Sequence, residues 1–151
     1  MIAVGRLRSY YRQAADEYLK RLQRFWPLEE REVREATRAS TDTLKRREES
    51  RRLLEAIPAD AVVVALTRRG SAWSSEEIAR RLGRWRHGGR DLAFLIGGSL
   101  GLSDEALAAA DAGWSLGPLT LPHELARVVV LEQLYRAATI LQGHPYHKPR
   151  T

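Results

Sequence analysis

Cysteine is missing from this 151-residue chain, which removes both a disulfide framework and thiolate metal ligation. No two of its four histidines form an HxxxH pair, so a helical histidine metal site has no basis, and no metal is expected. No apolar run comes near the ~20 residues that a membrane span needs. The opening Met1-Ile2-Ala3-Val4-Gly5 is no secretory signal. Neither a GxGxxG fingerprint nor a GxxxxGK[ST] phosphate loop occurs. There is no internal repeat, linker or low-complexity stretch. These absences leave a soluble cytoplasmic protein of one domain, spanning residues 1–151, long enough to bury a core without staples.

What the chain has in excess is positive charge. Lys plus Arg number 25 against 19 Asp plus Glu, a net charge of +6, and arginine supplies most of it. A planar guanidinium suits phosphate oxygens. On charge alone, a polyanionic partner and a basic surface kept for solubility stand level.

Periodicity organises the chain. Ile2–Val4 predicts a short first strand, so short that a gene start a few residues upstream stays open. Tyr11, Ala14, Ala15, Tyr18, Leu22 and Phe25 recur at helical spacing, and Pro27 ends that helix. Residues 28–36 alternate weakly and are charged, which predicts an exposed edge strand. Residues 37–43 read as a loop, and 44–57 as a charged, mostly solvated helix stopped before Pro58. The apolar run 61–66 fits a strand covered on both faces of a parallel sheet. Ser74 and Glu77 have capping-box spacing ahead of a helix carrying Ile78, Leu82 and Trp85. Residues 92–96 are a second buried strand, ending in Gly97-Gly98. Ser103 is placed to cap a short helix, 113–116 read as a last strand, and 123–142 as a long helix ended by Gly143. Alternating strands and helices predict an α/β layer with a mainly parallel sheet.

The last helix is apolar on consecutive positions, Val128 to Leu131, and Leu125, Leu134, Ala138 and Leu141 widen that surface. Such a helix is buried on more than one side. A second copy of the chain is the preferred cover, because helices flanking a five-stranded sheet usually keep a free face; a helix sandwiched within one chain is the alternative.

Three turns follow three buried strands: residues 66–70, 97–101 and 116–123. Open parallel sheets bind ligands beyond the carboxyl ends of their strands. A glycine pair alone is often only a tight turn. The third turn is less ordinary. Leu116, Leu119 and Leu121 are punctuated by Gly117, Pro118 and Pro122, which predicts a preformed wall for a flat, partly apolar ligand such as adenine, read by backbone groups.

At these residues the chain resembles a known family. Leu95-Ile96-Gly97-Gly98, Gly101-Leu102-Ser103, Trp114-Ser115-Leu116, Leu119-Thr120-Leu121-Pro122-His123, Arg127-Val128, Leu134-Tyr135-Arg136-Ala137 and His144-Pro145-Tyr146-His147 are similar, in order and spacing, to the bacterial ribosomal RNA large-subunit methyltransferase H family. Ala3-Val4-Gly5, Glu17-Tyr18-Leu19, Arg21, Trp85 and Gly89-Arg90-Asp91 extend the likeness over nearly the whole chain. The resemblance implies a SPOUT-class α/β fold with a C-terminal trefoil knot, which periodicity cannot yield because threading breaks the ordinary topology rule. It implies a homodimer that uses S-adenosyl-L-methionine to methylate N3 of a pseudouridine in 23S ribosomal RNA, in the large subunit of the assembled ribosome. It places Leu66, Gly98, Pro118, Leu119, Thr120, Leu121, Pro122 and His123 around the cofactor. Two departures stand out. Ser99-Leu100 replaces the family's usual Pro-Glu, and Lys148 replaces an arginine of the tail, keeping the charge but losing the bidentate fork.

The N3 imide must lose its proton for transfer to occur, and histidine titrates near neutral pH. His144 or His147 is therefore the expected proton acceptor. Tyr146 is expected to stack on a base, and Arg127, Lys148 and Arg150 to contact RNA. His123 has a competing role at the helix start, and Arg127 and Arg136 have one in ion pairs with Glu124 or Glu132. Two rival functions remain at this stage: a knotted methyltransferase acting on transfer RNA, and a non-catalytic RNA-binding module of the same fold.

Overall fold

The computed structural model describes residues 1–148. Five strands form one sheet in the order β2-β1-β4-β3-β5: β1 (Ile2–Val4), β2 (Arg31–Val33), β3 (Val62–Ala72), β4 (Leu92–Ile96) and β5 (Ala112–Ser115). Every neighbouring pair is parallel. Side chains on a strand alternate between faces, and the two cores follow that alternation. Ala3, Val64, Phe94 and Ile96 face one core, and Ile2, Val4, Val63, Ala65, Ala93 and Leu95 the other. Helices α1 (Ser9–Leu22), α3 (Ser75–His87) and α5 (His123–Leu141) cover the first face. Helices α2 (Asp42–Glu55) and α4 (Asp104–Ala109) cover the second.

Local chemistry explains most of the boundaries. The hydroxyls of Thr41, Ser74 and Ser103 accept from the amides of Leu44, Glu77 and Ala106, each satisfying an orphan donor at a helix start. The box at Ser74 is only half formed, since the Glu77 carboxylate receives Arg81 instead. Strand β2 is shorter than the alternation of 28–36 predicts. It pairs with β1 alone and lies mostly exposed, as an edge strand rich in charge does. Strand β3 is longer than expected. Its register with β5 shifts between Leu66 and Ser71, both of which pair with Trp114, so the segment 66–70, expected as a turn, is an irregular stretch inside the strand.

Helix α5 lies between α1 and α3 as well as on the sheet. Three neighbours from one chain thus account for most of its wide apolar surface. The premise that such a helix needs a second subunit to cover it is corrected here. Leu125, Val128 and Val129 on its first turns stay partly exposed, as do Ile140 and Leu141 at its end.

Candidate cofactor and RNA site

The three glycine- and proline-punctuated segments lie toward the carboxyl ends of the neighbouring strands β4, β3 and β5, the first of them, 66–70, being a stretch within β3 itself. Close backbone approach fixes the first two. A Cβ on Gly70 would stand 2.4 Å from the Gly113 carbonyl carbon, and one on Gly97 would stand 2.6 Å from that of Gly101. Neither position accepts a side chain without moving backbone. The Gly101 amide donates to the Gly98 carbonyl at 3.0 Å and closes the second turn. Arg69, from the first turn, reaches Asp104 at the start of α4, 3.3 Å away. Leu66 and Leu116 pack partly against the core below.

The third turn is open. Leu119 is 72% exposed, and Pro118, Thr120 and Pro122 are exposed beside it. The Ser115 hydroxyl accepts from the Gly117 amide at 3.1 Å and fixes the turn's root. Beyond it, the amides of Leu119, Thr120 and Leu121 donate to no protein group among the described residues. Gly101 and Gly117 have φ of 74° and 110°, and nothing lies within 4 Å of where a Cβ would point. The rim therefore offers bare backbone and unused donors next to apolar side chains. His123 opens α5 half-buried, and no side-chain cap bond is made at that end. Glu124 is buried behind it, accepting from the Arg8 amide at 3.0 Å and tying the start of α1 to the start of α5.

The tail after α5 doubles back over the helix. The His144 amide donates to the Thr139 carbonyl at 2.9 Å, and the His144 ring lies edge-on to Phe25, with centroids 6.0 Å apart. The Tyr146 ring sits 4.6 Å from that of Tyr135 and 4.7 Å from the Arg136 guanidinium, both measured to ring centroids. His147 stands between α3 and α5, with Nε2 2.9 Å from Glu76 and Nδ1 3.2 Å from Arg136. A guanidinium only donates, so Nδ1 accepts and Nε2 carries the proton toward Glu76. The His144 Nδ1 likewise accepts, from the Tyr146 amide at 3.2 Å. In the docked tail neither histidine has a free acceptor. The Glu76 carboxyl is held below the ordinary range, first by its own backbone amide and then by His147. Its hold on the tail is accordingly present at neutral pH and lost as pH falls through that lowered pKa. Lys148 is exposed at the end of the docked segment; Arg150 lies outside the described residues.

Comparison with known proteins fixes the family. The family model described as "Predicted SPOUT methyltransferase" matches residues 1–147. This chain belongs to the SPOUT methyltransferase family. Proteins named "Ribosomal RNA large subunit methyltransferase H" are 50% identical to it in Stenotrophomonas maltophilia (strain K279a) and 47% identical in Thioalkalivibrio sulfidiphilus, each covering 98% of this chain and 97% of the relative. Among solved structures, a probable methylase family protein from Haemophilus influenzae Rd KW20 matches with a TM-score of 0.56 at 13% identity, covering 99% of this chain and 70% of that one. A structure titled for 2-OH methylation of C/U34 on tRNA matches with 0.51 at 24%, covering 91% and 89%. At those identities the two structures speak for the fold alone.

A SPOUT rim of this chemistry fits an adenosyl cofactor: apolar side chains for a ring face, and free amides for its polar edge. A cavity of about 520 Å³ also opens at the opposite, amino-terminal end of the strands, lined by Trp26, Leu28, Arg86 and Phe94 among others. Its lining includes Gly89, Arg90, Asp91 and Leu134 from the stretches that carry the family likeness, but no residue of 66–70, 97–101 or 116–123. Arg127 does not reach RNA in this chain. Its guanidinium is completely buried, donating to the Gly5 carbonyl at 2.9 Å and to Glu30 and Glu32 at 3.0 and 2.7 Å. That expectation is corrected: the side chain lies on the face of α5 that turns inward toward β1 and β2. Arg136 pairs with Glu132 one turn away, as helical spacing allows.

Gly98 offers a local test of the rim. A Cβ there would stand 3.2 Å from Val4 and 3.3 Å from the Glu49 Oε1. Gly98→Ala is expected to cost about 1–2 kcal/mol of stability by overpacking. It is expected to weaken S-adenosylmethionine binding several-fold, read by thermal melts and titration calorimetry. Wild-type affinity in a destabilised variant would remove Gly98 from the site.

Proposed function

We propose that this chain methylates N3 of a pseudouridine in 23S ribosomal RNA of the large ribosomal subunit, with S-adenosyl-L-methionine as donor. The observation that carries the reading is the third turn, which presents three unused amides and an exposed leucine at the rim where the family's motifs converge. Leu66, Gly98, Pro118, Leu119, Thr120, Leu121, Pro122 and His123 would hold the cofactor. The cofactor supplies an activated methyl group on a sulfonium, so the protein contributes mainly position and electrostatics. The imide proton passes to His144 or His147. Because both rings are engaged in the docked tail, RNA binding must lift the tail before either accepts. Tyr146 then stacks on a base, and Lys148 and Arg150 hold phosphate.

The same reading includes a cytoplasmic homodimer and a trefoil knot that threads the segment after β5. The dimer is supported by the partly exposed aliphatics Leu125, Val128 and Val129 on the first turns of α5. The tail covers only the later turns of α5. No helix among the described residues is long and apolar enough to cross a membrane.

Tritiated methyl transfer to ribosomes and to transfer RNA, both from a strain lacking the corresponding gene, tests the activity. Label in 23S RNA alone is the expected result. Label in transfer RNA, or none in either with cofactor bound, would replace the reading with one of its rivals.

A further inference from the structure

Helix α2 looks like a solvated, charge-rich element, yet two adjacent polar residues in it are almost completely buried. Glu49 is 1% exposed and Ser50 is 1% exposed. Neither faces another charge. The Ser50 hydroxyl accepts from the Ser103 amide at 2.8 Å, and the Glu49 Oε2 accepts from the Ala36 amide at 3.0 Å. The other Glu49 oxygen, Oε1, is buried with no hydrogen-bond partner and lies 3.3 Å from where a Gly98 Cβ would be. One dipeptide thus meets the second rim turn at both ends, Gly98 by close packing and Ser103 by a hydrogen bond.

Burying a carboxylate and a hydroxyl side by side is costly unless the contacts made are needed. Stability alone does not ask for them. The same helix already contributes Leu53 to the apolar cluster of Val4, Leu95 and Leu102 on this face of the sheet. What the pair achieves is a fixed distance between the ends of residues 98–103. Ser103 is itself the cap of α4, with its hydroxyl bonded to the Ala106 amide. Anchoring its amide therefore sets where α4 begins and how much chain is left for the turn.

We propose that Glu49 and Ser50 are positioning residues that brace the 98–103 turn from behind the sheet and hold it in the shape that receives the methyl donor. This rests on the reading of that turn as a cofactor wall. Glu49 acts by position rather than charge: one oxygen holds the loop at Ala36 and the other fills the space behind Gly98. The pair touches neither cofactor nor RNA.

Ser50→Ala, Glu49→Ala and Glu49→Gln are compared by titration calorimetry with S-adenosylmethionine, by steady-state KM for cofactor and for ribosomes, and by amide hydrogen exchange at Ser103 without ligand. The brace predicts that Ser50→Ala raises the cofactor dissociation constant about fivefold, the equivalent of one neutral hydrogen bond. It also predicts faster exchange at Ser103 and an unchanged KM for ribosomes. Glu49→Ala weakens cofactor binding in the same way, and Glu49→Gln, which keeps both the acceptor and the volume, restores it. Should Glu49→Ala fail to fold, Ser50→Ala and the exchange measurement still decide. Variants that lose stability while keeping wild-type cofactor affinity overturn the brace. A wild-type protein that binds no cofactor, or binds it indifferently to Gly98→Ala, fails earlier, at the cofactor-wall reading itself.

Discussion

Arg127→Met is expected to lower the unfolding free energy by about 3 kcal/mol, the scale for breaking a buried ion pair by removing one partner. In a domain of this size that shifts the melting temperature by roughly 6–12 °C. The fully buried guanidinium joins three elements: α5, which carries it, the end of β1 through the Gly5 carbonyl, and β2 with its approach through Glu32 and Glu30. Methionine fills the volume but leaves the carbonyl without this donor and strands two carboxylates, for which Arg12 is the other partner. Arg127→Lys should recover little, because one ammonium does not span both carboxylates and the carbonyl as a planar fork does. Glu30→Gln with Glu32→Gln in the methionine background should recover part of the loss. Urea melts measure all of these. An Arg127→Met protein of wild-type stability that bound ribosomes weakly would return this arginine to the RNA surface.

Replacing the proton acceptor by alanine, His147→Ala or His144→Ala, is expected to lower turnover on ribosomes by about 100-fold or more, the range for loss of a positioned general base, with cofactor affinity unchanged. Two features make the tail a measurable device. It is docked by specific contacts, Glu76 and Arg136 on His147, and the Tyr135 ring and the Arg136 guanidinium on Tyr146. Those contacts also consume the lone pair that a base would use. Glu76→Gln weakens the dock without touching the histidine, so it should mobilise the tail, visible as sharpened amide resonances of Tyr146 and His147, while turnover stays within a few-fold. His144→Ala separates the two candidates. Full turnover in both histidine variants would show that neither is the base and that the tail only covers the site.

Much of this architecture is legible in the residues because it is written in local chemistry. The apolar run 92–96 is a strand over that span, and Ser74 and Ser103 cap where a hydroxyl precedes a helical period. The rim turns are legible because glycine and proline announce backbone demands that other residues do not meet. Partner choice across the chain was not legible. Arg127 has helical neighbours that look like its ion-pair partners, but its carboxylates come from residues 95 and 97 positions away. Glu49 and Ser50 sit in a run of charges whose periodicity gives no inward face, so nothing local marks them as buried. The width of the apolar surface on α5 showed that it was covered on several sides, but a neighbouring helix and a second subunit leave the same signature.

The account depends on the carboxyl rim, rather than some other concavity, receiving the methyl donor. Backbone amide shifts followed while S-adenosylmethionine is titrated into the labelled protein test this most directly. The largest changes are predicted at Leu119, Thr120, Leu121 and Gly98–Gly101, with Trp26 and Arg86 silent. Shifts concentrated instead around Trp26, Arg86 and Phe94, at the amino-terminal cavity, with the rim amides unmoved, would contradict it.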